Sequence, residues 1–600
     1  MRKAGIALLM ALMITMLFSC GKPDSSFDDI PDEDPIQDTD NDLQQEQDKD
    51  QAENQDQEQE REHGFKFELV GDAYYVSGVY EGWISELIVD AELVIPSEYN
   101  GKSVVGIADK AFDGVIIFDR YNESTTEGYI TVRISEGIRF IGKRAFSACT
   151  GLRAISLPST LTEIGAEAFR GSSLLSLDMT DGVSDIGEKA FYDCRSLESV
   201  VLSDSIRQIP VSVFEGCERL TKVENTDKLT DIAENAFFKC KKLEGFEFGD
   251  SLLSIGKKAF YGCASLSEVI LPDSLTSLGE AAFSSCTGAE RLHIGGGISE
   301  IPESAFRYMS SLKSVVIPDN ITEVSRGAFD NLSNLKELTI SKSVTCFNYC
   351  FNHTSAIESI YYEGTLEDWL KIFFYSVGSS PLYYSGSAKL YLDGELLEGA
   401  LVIPEGITEI PAHAFENYSY ITSVSFPYDM EYIGDAAFYW CQGITEVSFG
   451  GDVADFGTQI FYGCKRIVSV DFGTKLSKIG SGMFSDCIGL DRVVIPSSVR
   501  VIENYAFASC DIGELILSEG LEEIRSSACQ YGTIPEVRLP STVKSIGTAA
   551  FSTVGEIYYN GTAEEWQNVE KYSQWNMRYD EYYVHCIDAD VYYAPYYSRY

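Results

Sequence analysis

Ten of the fifteen cysteines fall at one repeated place. Cys149, Cys194, Cys217, Cys240, Cys263, Cys286, Cys441, Cys464, Cys487 and Cys510 each stand three residues after a phenylalanine. Cysteines at regular spacing can pair as disulfides, hold a metal through their thiolates, or pass reducing equivalents. Each chemistry makes a demand that can be checked. Residues stacked in identical conformation point their Cβ vectors in parallel, so a bridge between them needs backbone distortion. The run from Cys194 to Cys286 also has five members, which cannot all pair. Other copies of the pattern put Ser172, Met309, Leu332 or Val554 at the same place. A position that accepts those residues wants a small or adaptable buried group, and free cysteine behaves as a small hydrophobe. Core packing is therefore expected. Cys346 and Cys350, four apart beside Phe351, read either as a local pair or as two core residues; Cys529 replaces an anchoring phenylalanine, and Cys586 lies in the closing segment.

The rest of the chain offers little to an enzyme. Its five histidines, His63, His293, His353, His413 and His585, are scattered, with no H-E-x-x-H. No phosphate-cradling glycine loop occurs, and no G-x-S-x-G elbow. Residues 352–400 are the one stretch long enough to carry inserted catalytic loops, and they read better as the end of one array and the start of another. No catalytic residue, metal ligand or cofactor is expected. The formal net charge of −46 argues against nucleic acid, whose phosphates need clustered Lys and Arg, and against a basic patch docking on anionic lipid.

The elements that carry the cysteines come from a repeat. Phenylalanines recur at 112, 146, 169, 191, 214, 237, 260, 283, 306, 329 and 351, then at 415, 438, 461, 484, 507 and 551, with Cys529 as a degenerate copy. After the first gap the spacing within each series is 22 or 23. One unit reads Leu252-Leu253-Ser254-Ile255-Gly256, Ala259-Phe260, Cys263, Leu266, Val269, Leu271-Pro272. Alternation at Val269 and Leu271 predicts a short strand with both side chains inward, ended by Pro272. The spacing around Ala259, Phe260 and Cys263 predicts one helical turn. A unit alone buries almost nothing, so units must stack at the strand spacing of about 4.8 Å and share a core. The fold class is α/β, β-rich: a solenoid in two tandem arrays.

The piece Leu266-x-x-Val269-x-Leu271 has the L-x-x-L-x-L shape of a leucine-rich repeat. With G-x-x-A-F-x-x-C repeated across roughly residues 100–560, the chain resembles the BspA-like, or treponemal-type, leucine-rich repeat family of bacterial surface proteins. "YYEGTLEDW" at 361–369 and "YYNGTAEEW" at 558–566 are near copies, each following a repeat block, and look like segments that close an array. The expected organisation is an opening cap over 65–110, a first array with its closing cap over 111–394 and a second over 395–600. Ahead of them, residues 1–20 have a basic start and a short apolar run, as a secretory signal does. Leu17-Phe18-Ser19-Cys20 resembles the bacterial lipobox, which makes Cys20 the expected lipid-attachment site and the only membrane contact. Residues 21–64 are rich in Asp, Glu, Gln and Asn and read as a disordered, self-repelling tether.

What remains for function is surface. On the L-x-x-V-x-L strand the residues on either side of the central apolar one face outward. Val201, Glu224, Glu247, Ile270, His293, Val316, Asp471, Val494 and Ile516 follow the central residue, and Arg291 precedes it. The valines and isoleucines among them are more apolar than a solvated sheet requires, and these ten are the candidate binding residues. The family resemblance implies adhesion at the bacterial cell surface, to extracellular-matrix proteins of a host or to surface proteins of other bacteria. The alternative is an envelope scaffold organising a periplasmic or cell-wall complex.

Overall fold

The computed structural model describes residues 64–80, 83–116, 129–576 and 581–594. Cys20, the leader 1–20, all but the last residue of the 21–64 segment and the final six residues lie outside the described residues.

One coil gives the plan of the rest. Ser254–Ile255 form a two-residue strand, the chain turns through 256–265, and Glu268–Ile270 form a second strand ahead of Pro272. Each strand pairs in parallel with the same slot of the neighbouring coil: Ser254 with Asp231 and Ser277, Glu268 with Arg291, Val269 with Leu292. Two sets of parallel sheets result, one of longer strands from the L-x-x-V-x-L piece and a narrower one from the residues before the glycine. Ile255, Val269 and Leu271 fill the space between them, each 1% exposed or less.

The expected helical turn around Ala259, Phe260 and Cys263 does not form. Lys258 and Gly262 take φ values of +54° and +75°, which a right-handed helix cannot contain. The amides of Lys258, Phe260 and Gly262 donate to the carbonyls of Glu280, Ala282 and Ser284 in the next coil, at 2.9, 2.8 and 2.9 Å. Left-handed residues flank other anchors in the same way, as Asn235 and Lys239 or Ser304 and Tyr308 do. The backbone thus bonds between coils rather than within a helix, and the turns form a third ladder. Among the described residues only Ile84–Leu87, Leu366–Trp369 and Ala563–Asn568 are helical, and no helix is long and apolar enough to cross a membrane.

The anchor rings stack face over face inside this ladder. Eleven, from Phe112 to Phe351, lie at centroid spacings of 5.0–6.0 Å with planes within 18° of parallel. Five more run from Phe415 to Phe507 at 5.2–5.7 Å. Spacings beyond the strand repeat of about 4.8 Å place the rings in offset stacks, the favoured parallel arrangement. The cysteines line the same core as free thiols. Each of the ten repeat cysteines donates to the carbonyl of the previous coil's anchor, among them Cys217 to Phe191 at 3.2 Å, Cys240 to Phe214 at 3.2 Å, Cys263 to Phe237 at 3.3 Å and Cys510 to Phe484 at 3.0 Å. Thr354, in the same slot, does this with its hydroxyl to Phe329 at 2.7 Å. The slot therefore accepts a small buried donor as well as an apolar group.

Antiparallel hairpins close the first narrow ladder at its start and the longer ladders at the end of each array. At the start Phe65–Val70 pairs with Ala73–Val79, which joins Lys102–Ile107 in parallel. The two near-copy segments fold alike. Strand Ser359–Tyr362 leads through a helix N-capped by Thr365 to Phe373–Phe374 and the hairpin Lys389–Leu392 with Glu395–Leu396. Strand Phe551–Tyr559 leads through a helix N-capped by Thr562 to Glu570–Lys571 and the hairpin Tyr582–His585 with Asp590–Tyr593. In both, a capping box ties the first turn, reciprocally between the cap threonine and Asp368 or Glu565. The buried indoles find different partners. Trp566 Nε1 donates to the Tyr593 hydroxyl of its own cap at 3.0 Å, whereas Trp369 Nε1 donates to the Ala414 carbonyl of the following coil at 3.0 Å. Asn417 adds a bond to the Tyr383 carbonyl at 2.7 Å, and the Tyr418 hydroxyl accepts from Leu390 N at 3.3 Å.

The second closing hairpin carries a titratable clamp. His585 Nδ1 lies 2.9 Å from Asp590 and Nε2 3.1 Å from Glu556 on the adjacent strand. Hydrogen bonds to Asp590 and then Glu556 favour the imidazolium and raise its pKa above the ordinary value. A raised folded-state pKa gives stability that is full below the unfolded value, about 6.5, and lost as pH rises through the folded one.

Three measurements check this architecture. Burial pushes Cys149, Cys286 and Cys510 up to about 12. All ten ladder thiols are 1% exposed or less, so they should resist iodoacetamide at pH 8 in the native protein and react in denaturant, as read by peptide mass mapping. Phe260→Ala should cost about 3–5 kcal/mol by opening the ring stack, whereas Cys263→Thr, which keeps a donor to Phe237, should cost under about 1.5 kcal/mol. Thermal melts of wild type and His585→Gln should differ at pH 5.5 and converge by pH 9; a pH-independent gap would remove the clamp.

Candidate functional site

The outward side chains of the longer sheets stand in two rows, one on each side of the central buried residue. Parallel pairing in register sets each row, because every coil contributes the same slot at one strand spacing. In the row after the central residue, Ile270 faces His293, and further on Val316 faces Thr339, Thr339 faces Tyr361 and Tyr361 faces Tyr391. In the second array Val494 faces Ile516, followed by Arg538, Tyr558 and His585.

Nine of the ten candidate residues lie on such strands. Val201 is half-buried on Ser199–Val201, Glu224 exposed on Lys222–Glu224, and Arg291 and His293 exposed on Arg291–His293. Ile270, Val316 and Val494 are 42%, 54% and 37% exposed, values that leave roughly a third to a half of each residue in water. Asp471 is exposed on Ser469–Asp471 and Ile516 half-buried on Glu514–Leu517. Arg291 pairs with Glu268 on the neighbouring strand, so its charge is matched within the sheet.

Glu247 is exposed but on no strand. Its coil puts Phe246 and Phe248 where others have Val and Leu, and both rings turn in against Phe260, at 5.0 and 5.3 Å. Gly245 supplies no side chain and weakens the strand further. The longer sheet therefore stops at Lys222–Glu224 and resumes at Glu268–Ile270. Glu247 belongs instead to a shallow cleft of about 620 Å³ with Lys222 and Glu224.

Sequence reasoning missed the aromatic ends of both rows. Tyr361 and Tyr391 stack at 4.8 Å. Arg538 lies 4.5 Å over the Tyr558 ring, whose other neighbour is His585 at 5.0 Å. The signal was present in the paired tyrosines of "YYEGT" and "YYNGT": period-two alternation sends Tyr362 and Tyr559 into the core, at 1% and 3% exposure, and their predecessors out. Val402, 63% exposed on Gly399–Val402, was also not anticipated.

Such a face can bind. It offers a row of aliphatic and aromatic groups on a fixed ladder, flanked by Glu268, Glu337, Arg492 and Glu514. Among the described residues no group of three or more His, Cys, Asp or Glu could hold a metal ion. A cleft of about 780 Å³ opens on the same face at its N-terminal end, lined by Val89, Val94, Tyr129, Ile130 and Arg153 among others.

Comparison with known proteins returns one family. The model described as "BspA type Leucine rich repeat region (6 copies)" matches residues 124–244, 230–358, 399–513 and 459–558. No curated protein matches the chain. Among solved structures, a leucine-rich repeat protein from Bacteroides ovatus is 20% identical, with 75% of this chain and 98% of that one covered and a TM-score of 0.35. A leucine-rich cell surface protein from Faecalibacterium prausnitzii is 20% identical, covering 84% and 96%, with a TM-score of 0.24. The pneumococcal vaccine antigen PcpA is 16% identical, covering 88% and 97%, with a TM-score of 0.26. The matched segments span more than half of the chain, and the protein belongs to the BspA-type leucine-rich repeat family.

Proposed function

We propose that this chain is a non-catalytic, lipid-anchored protein of the bacterial cell surface that binds other proteins or cell surfaces through the outward rows of its longer sheets, and that it acts as an adhesin. The observation that carries the reading is the exposure of Ile270, Val316 and Val494, with Tyr361 at 38%, on strands whose inward slots already complete the core. Apolar groups held in water at fixed spacing are the usual material of a protein interface. Leucine-rich repeat solenoids use extended surfaces of this kind. Membership of the BspA-type family supports binding to extracellular-matrix or bacterial surface proteins. The basic-then-apolar residues 1–17 and the Leu17–Cys20 tetrapeptide support export and lipid attachment at Cys20, with 21–64 as the tether.

Protease shaving of intact cells tests the location. Peptides from residues 65–600 should be released while cytoplasmic and periplasmic controls stay whole. Protection in intact cells, with digestion only after lysis, would move the protein inside the envelope and favour the scaffold reading. In the same strain Cys20→Ala should shift the protein from the membrane fraction to the soluble fraction or the medium.

A further inference from the structure

The two arrays carry corresponding outward rows when they are aligned on their closing segments. Tyr361 and Tyr558 open the near-identical "YYEGTLEDW" and "YYNGTAEEW" and hold the outward slot of the last strand before each helix. Against each lies a planar side chain from the closing hairpin: Tyr391 stacked at 4.8 Å and 20°, His585 tilted at 5.0 Å and 31°. One coil back stand the polar Thr339 and Arg538, and two coils back the aliphatic Val316 and Ile516. Three coils back are His293 and Val494. Earlier in each array the same row is mixed: Ser156, Asp178 and Glu224 alternate with Val201 and Ile270 in the first, and Ser425, Ser448 and Asp471 follow Val402 in the second. Closing an array explains the inward Tyr362 and Tyr559 and the buried Trp369 and Trp566. It does not explain why aliphatic groups face water two coils before each cap.

We infer that each array bears its own copy of one docking patch, running from His293 to Tyr391 and from Val494 to His585, and that the chain takes two copies of one kind of partner: an extended segment of another protein with apolar and basic side chains. The inference rests on the binding role proposed above for this face. Each patch crosses five strands, four spacings of about 4.8 Å, or about 19 Å, a length that about six extended residues span. Apolar side chains of the partner would lie along the aliphatic and aromatic row. Basic ones would meet Glu337 beside the first patch; beside the second, Glu514, Glu536 and Glu556 pair with Arg492, Arg538 and His585 in the free protein, and a basic partner side chain would share them. A net charge of −46 steers a cationic segment in and repels a second copy of this chain. One such patch falls well short of the roughly 800 Å² per partner of a stable interface. Two on one chain raise the avidity toward a repetitive partner without any new contact.

The test uses the full chain and a peptide probe. A random 12-residue phage library is selected on the Val494→Asp/Ile516→Asp variant, in which only the first patch is intact, and the selected peptide is synthesised. By titration calorimetry wild type should bind two equivalents, the selection variant one, and a His293→Asp/Val316→Asp variant one. All variants should keep the wild-type circular dichroism and melting profile, since the substituted side chains face solvent. A tandem peptide with a flexible linker should bind wild type at least tenfold tighter than the single one. A peptide lost with His293→Asp/Val316→Asp but bound once per wild-type chain would overturn the duplication and leave the docking face standing. If no selected peptide is sensitive to His293→Asp/Val316→Asp, both the duplication and the docking role of the face fall. Dimers of wild type that disappear with the same substitutions would give the patch to a second copy and overturn the foreign partner.

Discussion

Every coil of this molecule must present its backbone in register to the next, and the hydrogen bonds that do so are made between coils at three places. The narrow strands, the longer strands and the amides around each anchor phenylalanine all bond to the same slot one coil away. A two-residue strand such as Ser254–Ile255 would not survive alone, because fixing its dihedrals costs about 1–2 kcal/mol per residue for few bonds. Stacked, each coil supplies the template for its neighbour, and the cost is shared along the array. The offset ring stack follows from this. The phenylalanines lie parallel because the backbone that carries them repeats, and their 5–6 Å spacing is what the coil-to-coil bonds allow.

The same constraint decides what the cysteines do. An anchor carbonyl already accepts the amide three residues on, as Phe237 accepts Cys240 N at 3.1 Å, and has a second lone pair facing the core. Sulfur on the next coil reaches it, and so does the hydroxyl of Thr354. Met309 and Leu332 leave that second lone pair without this partner and still pack, since a carbonyl with one bond made is only partly unsatisfied. A ladder of identical residues can therefore arise from a weak local preference repeated many times, with no chemistry passing along it.

The repeat period, the inward pair Val269 and Leu271 and the core role of Cys263 are legible in the sequence because each depends on which residue type recurs at which spacing. The narrow sheet is not, since two residues are too few to show alternation. The left-handed turns are hidden for another reason: Lys258 and Lys239 take positive φ without glycine or asparagine to announce it, held there by bonds to the next coil. The fit to helical spacing was a coincidence of Ala259, Phe260 and Cys263 facing one core from successive turns. At Glu247 the slot count was right and the strand was absent, because two phenylalanines replaced smaller residues and drew the backbone away. Tyr361 and Tyr558 were absorbed into a closing motif whose second tyrosine does the closing. The partner of Trp369, a carbonyl 45 residues on, has no local signature at all.

These constraints leave little of the surface free to carry recognition. Inward slots are filled by the core, and the turn side is bound by its left-handed residues and inter-coil amides. The narrow sheet offers one outward slot per coil, and from Glu163 through Asp185, Gln208, Asp231, Ser254 and Ser277 it holds polar side chains, some bonded to one another as Gln208 and Ser254 are to Asp231. The longer strands have two outward slots per coil with no part in folding, held rigid from below. There the residues vary in kind along each array, from serine, aspartate and glutamate to valine, isoleucine, histidine, arginine and tyrosine, with the aromatic ones at the closing end. Variation of that sort is expensive for a solvated sheet and useful to an interface, because a partner reads side chains at a spacing the scaffold has already set. Since Trp369, Asn417 and Tyr418 tie the first closing segment to the coils that follow, the second array starts from a bonded seam rather than a loose linker. A ligand engaging both rows would then meet two surfaces whose separation is part of the fold.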